Sequence, residues 1–165
     1  MFELKAISHD AIPEALAKAE RYRLLNEPGQ AESICLDVLR VEPANQQALI
    51  TLLLALTDQF DDVIDASKAL EIVPRIEGEY ERAYYSGIIC ERRAKAHFKR
   101  ARHGSGATTH ALLADAMRWY ERAEAHRPAG NDDALLRWNT CARFLMSHRE
   151  VQPEPHVAAE PILSE

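Results

Sequence analysis

Three segments of the chain reach a proline after the same spacing of mostly small or apolar residues, and this pattern constrains the fold most. Each follows the arrangement X-x3-X-x2-X-x4-Pro, and the prolines are Pro43, Pro74 and Pro128. Residues three and four apart lie on one face of an α-helix, and proline cannot continue a helix. The pattern therefore predicts three helices that pack closely along one face and end at a turn.

Apolar residues at helical spacing predict four further helices. We expect them over Ile12–Leu25, from Gln46 to Thr57, from Glu79 to Arg102, and from the Gly130-Asn131-Asp132 turn to about Leu145. No segment has the pattern of a strand. Short connections between successive helices favour antiparallel hairpins, so the sequence predicts an all-α fold of about seven helices.

The starts of the three proline-terminated helices are also marked in the sequence. Pro28-Gly29 breaks the first helical run and precedes the second helix. Asp61 and Asp62 suit the N-terminus of the fourth helix, where the helix dipole favours acids. Thr108 or Thr109 can cap the sixth.

The chain has 165 residues, of which 47% are apolar, which suits one hydrophobic core. We expect a lead segment at residues 1–9, a helical domain at 10–148 and a disordered acidic tail at 149–165. The tail prediction rests on residues 150–165, which hold three prolines and four glutamates but no lysine or arginine.

The proline-terminated spacing resembles the tetratricopeptide repeat, whose period is about 34 residues. Ala19 and Tyr22 match small and aromatic positions of that family's first helix, and Gly87 resembles its close-contact glycine. The second repeat is short and the third is longer by about 20 residues. The resemblance implies a right-handed array of three helical hairpins, with the seventh helix as a cap.

Such an array implies a concave groove, lined by the first helix of each unit, that binds an extended or helical segment of a partner protein. The family's groove positions fall on twelve residues of mixed character, which suggests an amphipathic ligand. They are Leu16, Glu20, Arg23, Ile50, Leu54, Thr57, Tyr84, Ile88, Glu91, Leu136, Thr140 and Arg143. Leu16 and Glu20 occupy positions where some relatives clamp a C-terminal carboxylate with Lys and Asn, so we do not expect that activity.

One helix carries a dense run of positive charge. Its six basic residues are Arg92, Arg93, Lys95, Lys99, Arg100 and Arg102. This basic patch is interpreted as a solvated or internally paired face, as a site for an acidic protein or the chain's own tail, or as an adaptor surface for nucleic acid. The net charge of −6 argues against a general nucleic-acid coat protein.

Residues 61–65 spell the motif DDxxD, which binds magnesium in all-α prenyl-diphosphate enzymes. The chain has no second motif of this kind, and acids are expected at a helix start. The seven histidines are scattered, with no HxxxH or CxxC spacing. We therefore predict a non-enzymatic protein without metal or cofactor.

The compartment is predicted from cysteine usage and from the N-terminus. Cys35, Cys90 and Cys141 are too far apart for a disulfide framework, which fits a reducing cytosol. The first residues do not have the pattern of a secretory signal, and the longest apolar run is about half a membrane span. We expect a cytoplasmic scaffold that binds a protein, with no membrane association.

Overall fold

A computed structural model of the chain describes residues 2–60, 65–100 and 106–154. Seven α-helices lie within these ranges: α1 (Ile12–Leu24), α2 (Pro28–Val41), α3 (Gln46–Asp58), α4 (Ser67–Ile72), α5 (Glu79–Arg100), α6 (Gly106–Glu124) and α7 (Asp133–Ser147). The described ranges contain no strand, so the prediction of an all-helical fold is confirmed. None of the described helices is long and apolar enough to cross a bilayer.

Local backbone chemistry accounts for two of the helix ends. Asn26, two residues after the end of α1, has the left-handed conformation with φ of 59°, which Asn tolerates better than most residues. The Glu27 amide then donates to the Tyr22 carbonyl at 2.9 Å, a bond that closes the helix end. Asn45 caps α3, because its side chain accepts from the Ala48 amide at 2.9 Å.

The starts of α4 and α6 differ from the sequence prediction. Helix α4 begins at Ser67, and the Asp65 carboxylate just before it accepts from the Ser67 amide at 2.9 Å. Asp61 and Asp62 lie outside the described residues. Helix α6 begins at Gly106, and Thr109 is fully buried inside it rather than at its cap. The prediction that Thr108 or Thr109 caps this helix was wrong, because α6 begins at Gly106 and both threonines lie inside it. Thr109 lies on the face that packs into the protein.

The core forms two clusters that share side chains. The first is built mainly from α1 to α4 and the second from α5 to α7. Leu54 of α3 and Tyr85 of α5 pack against both clusters. Consecutive helices contact one another, and α3 also contacts α1 and α5. The alternate helices α1, α3 and α5 therefore lie side by side.

The segment after α7 packs against α5 and α6. The His148 ring stacks on Phe144 with ring centroids 4.0 Å apart, and Phe98 of α5 meets His148 edge-on at 4.8 Å. Val151 is only 2% exposed. The structure describes the predicted tail (149–165) through Glu154, and this part of it is anchored at Val151. Residues 155–165 lie outside the described ranges.

Gly106 allows this close packing, and we expect the substitution Gly106→Ala to loosen it. A Cβ at Gly106 would overlap the Glu150 carbonyl oxygen and lie 3.3 Å from the carbonyl carbon. Because backbone atoms cannot rotate away as a side chain does, residues 149–154 must move. Hydrogen exchange by mass spectrometry should show amide exchange about tenfold faster in these residues. Unchanged exchange would mean that the segment accommodates a methyl group at this position.

Candidate functional site

Asp58 at the end of α3 links three helices. Its carboxylate accepts from Arg23 Nε of α1 at 2.7 Å and from Arg92 Nη1 of α5 at 2.6 Å. Both bonds are charge-assisted, and the side chains of all three residues are about a quarter exposed or less. Asp58 therefore joins the C-terminal ends of α1 and α3 to the interior of α5 through one carboxylate.

Arg92 is bound more extensively than a surface arginine. Its Nη1 atom also donates to the Leu54 carbonyl at 3.0 Å and to the Thr57 hydroxyl at 2.6 Å. Burial lowers the pKa of Arg92, the Asp58 carboxylate raises it, and the like charges of Arg23 and Arg137 lower it again. The net effect is a lowered pKa, but arginine stays protonated in proteins, so Arg92 is a cation here.

Glu91, the residue before Arg92, joins α5 to α6 and α7. It is 1% exposed, and its carboxylate accepts from the Tyr120 hydroxyl of α6 at 2.6 Å. Lys95, one turn along α5, and Arg137 of α7 both pair with the other carboxylate oxygen. A buried carboxylate requires such partners because burial without them carries a large free-energy cost.

The Tyr120 ring reaches Glu91 because it lies against a glycine. Gly87 precedes Glu91 by four residues and so lies on the same face of α5. A Cβ at Gly87 would lie 2.7 Å from Tyr120 Cδ1, closer than carbon atoms approach without repulsion. Burial, and then the Glu91 charge, raise the pKa of Tyr120. The hydroxyl therefore keeps its proton and acts as the donor.

Arg137 completes the site from α7. Burial tends to lower the pKa of Arg137, but the Glu91 carboxylate and the Tyr84 hydroxyl outweigh it, so the pKa is raised. We use the term charge network for six residues, Arg23, Asp58, Glu91, Arg92, Lys95 and Arg137. It links α1, α3, α5 and α7 in succession. The network has four cations and two carboxylates. The side chains of the four cations are between 21% and 39% exposed.

The structure divides the twelve predicted groove residues into three groups by exposure. The buried group is Leu16, Thr57, Ile88 and Glu91. The half-buried group is Arg23, Ile50, Leu54 and Tyr84. The exposed group is Glu20, Leu136, Thr140 and Arg143. Side chains in the buried group do not reach the surface, so their assignment as direct contacts for a partner is corrected. Helical position alone did not distinguish the surface from the core.

Two of the half-buried groove residues take part in contacts between helices. Tyr84 stacks on Tyr80 with centroids 5.8 Å apart and also packs against Tyr120. Leu54 packs against both core clusters. Each presents part of its side chain at the surface beside the charge network, so this face combines apolar and charged character.

The predicted basic patch is divided among different environments. Arg92 and Lys95 are bound to Asp58 and Glu91, as the interpretation of an internally paired face expects. Arg93 is half-buried, and its Nε atom has no hydrogen-bond partner among the described residues. Lys99 and Arg100 are exposed and interact with other groups, and Arg102 lies outside the described residues. The described members therefore do not form one uniform cationic surface.

Metal ligation and thiol reactivity can be judged from the described side chains. Among them, no group of three His, Cys, Asp or Glu side chains could hold a metal ion. Burial raises the pKa of Cys35 and of Cys141 to about 12, and it also raises the pKa of Cys90. Thiols with a raised pKa are poor nucleophiles at neutral pH.

Sequence reasoning missed Asp58, Tyr120 and Arg137 as parts of the site. Asp58 follows the predicted groove residue Leu54 by four positions, so helical spacing could have identified it. The sequence analysis assigned no role in the site to Tyr120 or Arg137. No signal in the sequence connects Arg137 to Glu91, which is 46 residues away along the chain.

Comparison with known proteins gave no match to a family model, to a curated protein or to a solved structure. The function of this chain is therefore argued from its own geometry.

Proposed function

We propose that this protein is a non-enzymatic scaffold that binds a segment of a partner protein across the face formed by α1, α3, α5 and α7. In this proposal the helices stack as a tetratricopeptide-like array, and this face is its concave side. The charge network is the observation that carries the proposal. It runs through these four alternate helices and places partly exposed charges along them.

The face has the composition of a protein-binding surface. Half-buried Ile50, Leu54 and Tyr84 supply apolar area that a partner can cover. Glu20 and Thr140 add exposed polar groups at its two ends. Interfaces commonly combine an apolar centre with a polar rim in this way, so an amphipathic segment suits the face.

The same reasoning sets the expected context of the protein. Binding by burial of a partner segment needs no cofactor or metal. Buried cysteines without a disulfide suit a reducing compartment, and we therefore place the scaffold in the cytoplasm. The alternative is an adaptor that binds nucleic acid or an acidic partner through residues 92–102. It is weakened for nucleic acid because the described basic residues of this helix lie in different environments and do not form one continuous cationic surface.

Site-specific photo-crosslinking in cells tests which face binds a partner. The photoreactive residue p-benzoylphenylalanine is placed at Gln47 of α3 or Thr140 of α7, which are exposed on the proposed binding face. Matched controls carry it at Ser33 of α2 or Arg118 of α6, which are also exposed but lie on the other set of helices. We expect the same crosslinked partner from both test positions.

The control positions should give little or none of that crosslinked partner. A partner that crosslinks equally well from Ser33 and Arg118, or only from them, would contradict the proposal, because it would place binding on α2 and α6.

A further inference from the structure

The charge network carries more positive than negative charge, and we infer that the segment it binds is acidic, with Asp or Glu side chains that face Arg23, Arg92, Lys95 and Arg137. This inference rests on the proposed function and names the chemistry of the partner. These four cations come from three helices: Arg23 lies on α1, Arg92 and Lys95 lie on α5, and Arg137 lies on α7. Neither the family resemblance nor the predicted basic patch therefore identified all four together.

In the part of the chain that the structure describes, Arg23 and Arg92 retain N–H donors for an incoming carboxylate. A guanidinium has five N–H groups in a planar fork. Within the described residues, Arg23 uses Nε for Asp58, and Arg92 makes its three hydrogen bonds through Nη1. The remaining N–H groups are held in place by these bonds, so binding costs little side-chain entropy.

The internal carboxylates do not cancel the positive charge at the surface. Glu91 is almost fully buried, whereas Lys95 and Arg137 are 39% and 37% exposed, so a partner meets the cations first. The like charges of Arg23 and Arg137 also lower the pKa of Arg92, which reflects their mutual repulsion. A partner carboxylate placed among them relieves that repulsion.

A cleft beside the network provides space for such a group. It has a volume of about 270 Å³ and lies between the end of α3 and α5. Arg92 and Lys95 line it with Asp58 and Phe60. A carboxylate on a short apolar segment fits this combination of cations and an aromatic ring.

The observations favour an acidic peptide over a nucleic acid. The chain carries a net charge of −6, so a long polyanion is repelled by the rest of the molecule. Asp58 lies within the network and opposes a continuous phosphate backbone. A peptide with spaced carboxylates can place each of them on a cation and avoid Asp58.

Fluorescence anisotropy with defined peptides tests the inference on the full chain. The probe is a labelled peptide of four Glu-Leu-Ser repeats, and the comparison peptides have Gln or Lys in place of Glu. We expect the Glu peptide to bind at least tenfold more tightly than the Gln peptide at low salt, and the Lys peptide not to bind. This affinity should fall steeply as salt screens the charges.

Two variants separate the network from general charge. Arg23→Gln removes one cation of the network, and Arg127→Gln removes an arginine that pairs with Asp132 at the surface outside it. Both variants change the net charge equally. We expect Arg23→Gln to weaken binding of the Glu peptide about fivefold and Arg127→Gln to weaken it less than twofold. If Arg23→Gln does not fold, as judged by circular dichroism, Arg137→Gln takes its place in the same comparison.

Several results would overturn the inference. Equal binding of the Glu and Gln peptides would do so while leaving the crosslinking test of the binding face intact. Tighter binding of a single-stranded DNA 12-mer than of the Glu peptide would assign the network to nucleic acid. The Glu peptide could also bind only to a variant in which the acidic tail residues Glu150, Glu154, Glu160 and Glu165 are all changed to Gln. That result would make the chain's own acidic segment the occupant, instead of a separate partner.

Discussion

The substitution Gly87→Ala should lower the free energy of unfolding by about 2–3 kcal/mol, although alanine is the better helix former by about 1 kcal/mol. Gly87 lies inside α5 with its Cα against the Tyr120 ring. The added methyl group would overlap that ring, which is fully buried and hydrogen-bonded to Glu91. The ring cannot move without breaking this bond, so the steric cost exceeds the gain in helix propensity. Urea denaturation measures the difference.

Gly29→Ala is the matched control for this prediction. Gly29 lies in the first turn of α2, and no atom lies within 4 Å of a Cβ built there. Alanine at this position should be neutral or stabilise the protein by up to about 1 kcal/mol. If Gly87→Ala were as well tolerated as Gly29→Ala, the close packing of Tyr120 on α5 would be wrong.

Removal of the Glu91 side chain should lower the free energy of unfolding by about as much as Gly87→Ala. Glu91→Ala leaves the buried Tyr120 hydroxyl without its acceptor, opens a cavity, and removes the carboxylate that Lys95 and Arg137 share. We expect a loss of about 3 kcal/mol in the free energy of unfolding. Because Lys95 and Arg137 are partly exposed, water can solvate them in the variant. The unsatisfied Tyr120 hydroxyl and the cavity therefore account for most of the lost free energy of unfolding. Thermal and urea unfolding both measure this quantity.

Two further variants give the Glu91 prediction its controls. Glu91→Gln retains the shape and an acceptor for Tyr120, and should cost about 1–2 kcal/mol, less than Glu91→Ala. Glu121→Ala removes a glutamate that also joins two helices, because it accepts from Trp138 Nε1 at 3.0 Å, but it is exposed. It should cost less than about 0.5 kcal/mol. Equal losses for Glu91→Ala and Glu121→Ala would contradict the buried network.

The helices could be predicted from the sequence because their determinants are local. Apolar spacing and the three prolines depend on neighbouring residues, and the six helices other than α4 have close to their predicted extents. The starts of α4 and α6 were missed because tertiary packing decides them. Thr109, for example, has good capping chemistry but is fully buried inside α6 and does not lie at the helix start.

The candidate site was less predictable, because its contacts join distant parts of the chain. The pair of Glu91 and Lys95 could be inferred, since Glu followed by Lys four residues later is a favourable helix pair. The burial of Glu91 could not, because glutamate is rarely buried and its partners lie on α6 and α7. The internally paired face was one interpretation of the basic patch, but Asp58 could not be identified as the partner of Arg92 because it is 34 residues away.

The central claim is that one face, formed by α1, α3, α5 and α7, binds an acidic segment. Nuclear magnetic resonance of the 15N-labelled full chain, titrated with the Glu-Leu-Ser peptide, tests it most directly. We predict amide shift changes that cluster near Arg23, Arg92 and Arg137, with Ser33 and Arg118 unaffected. Changes centred on α2 and α6, or no changes at peptide concentrations that saturate the anisotropy signal, would contradict it.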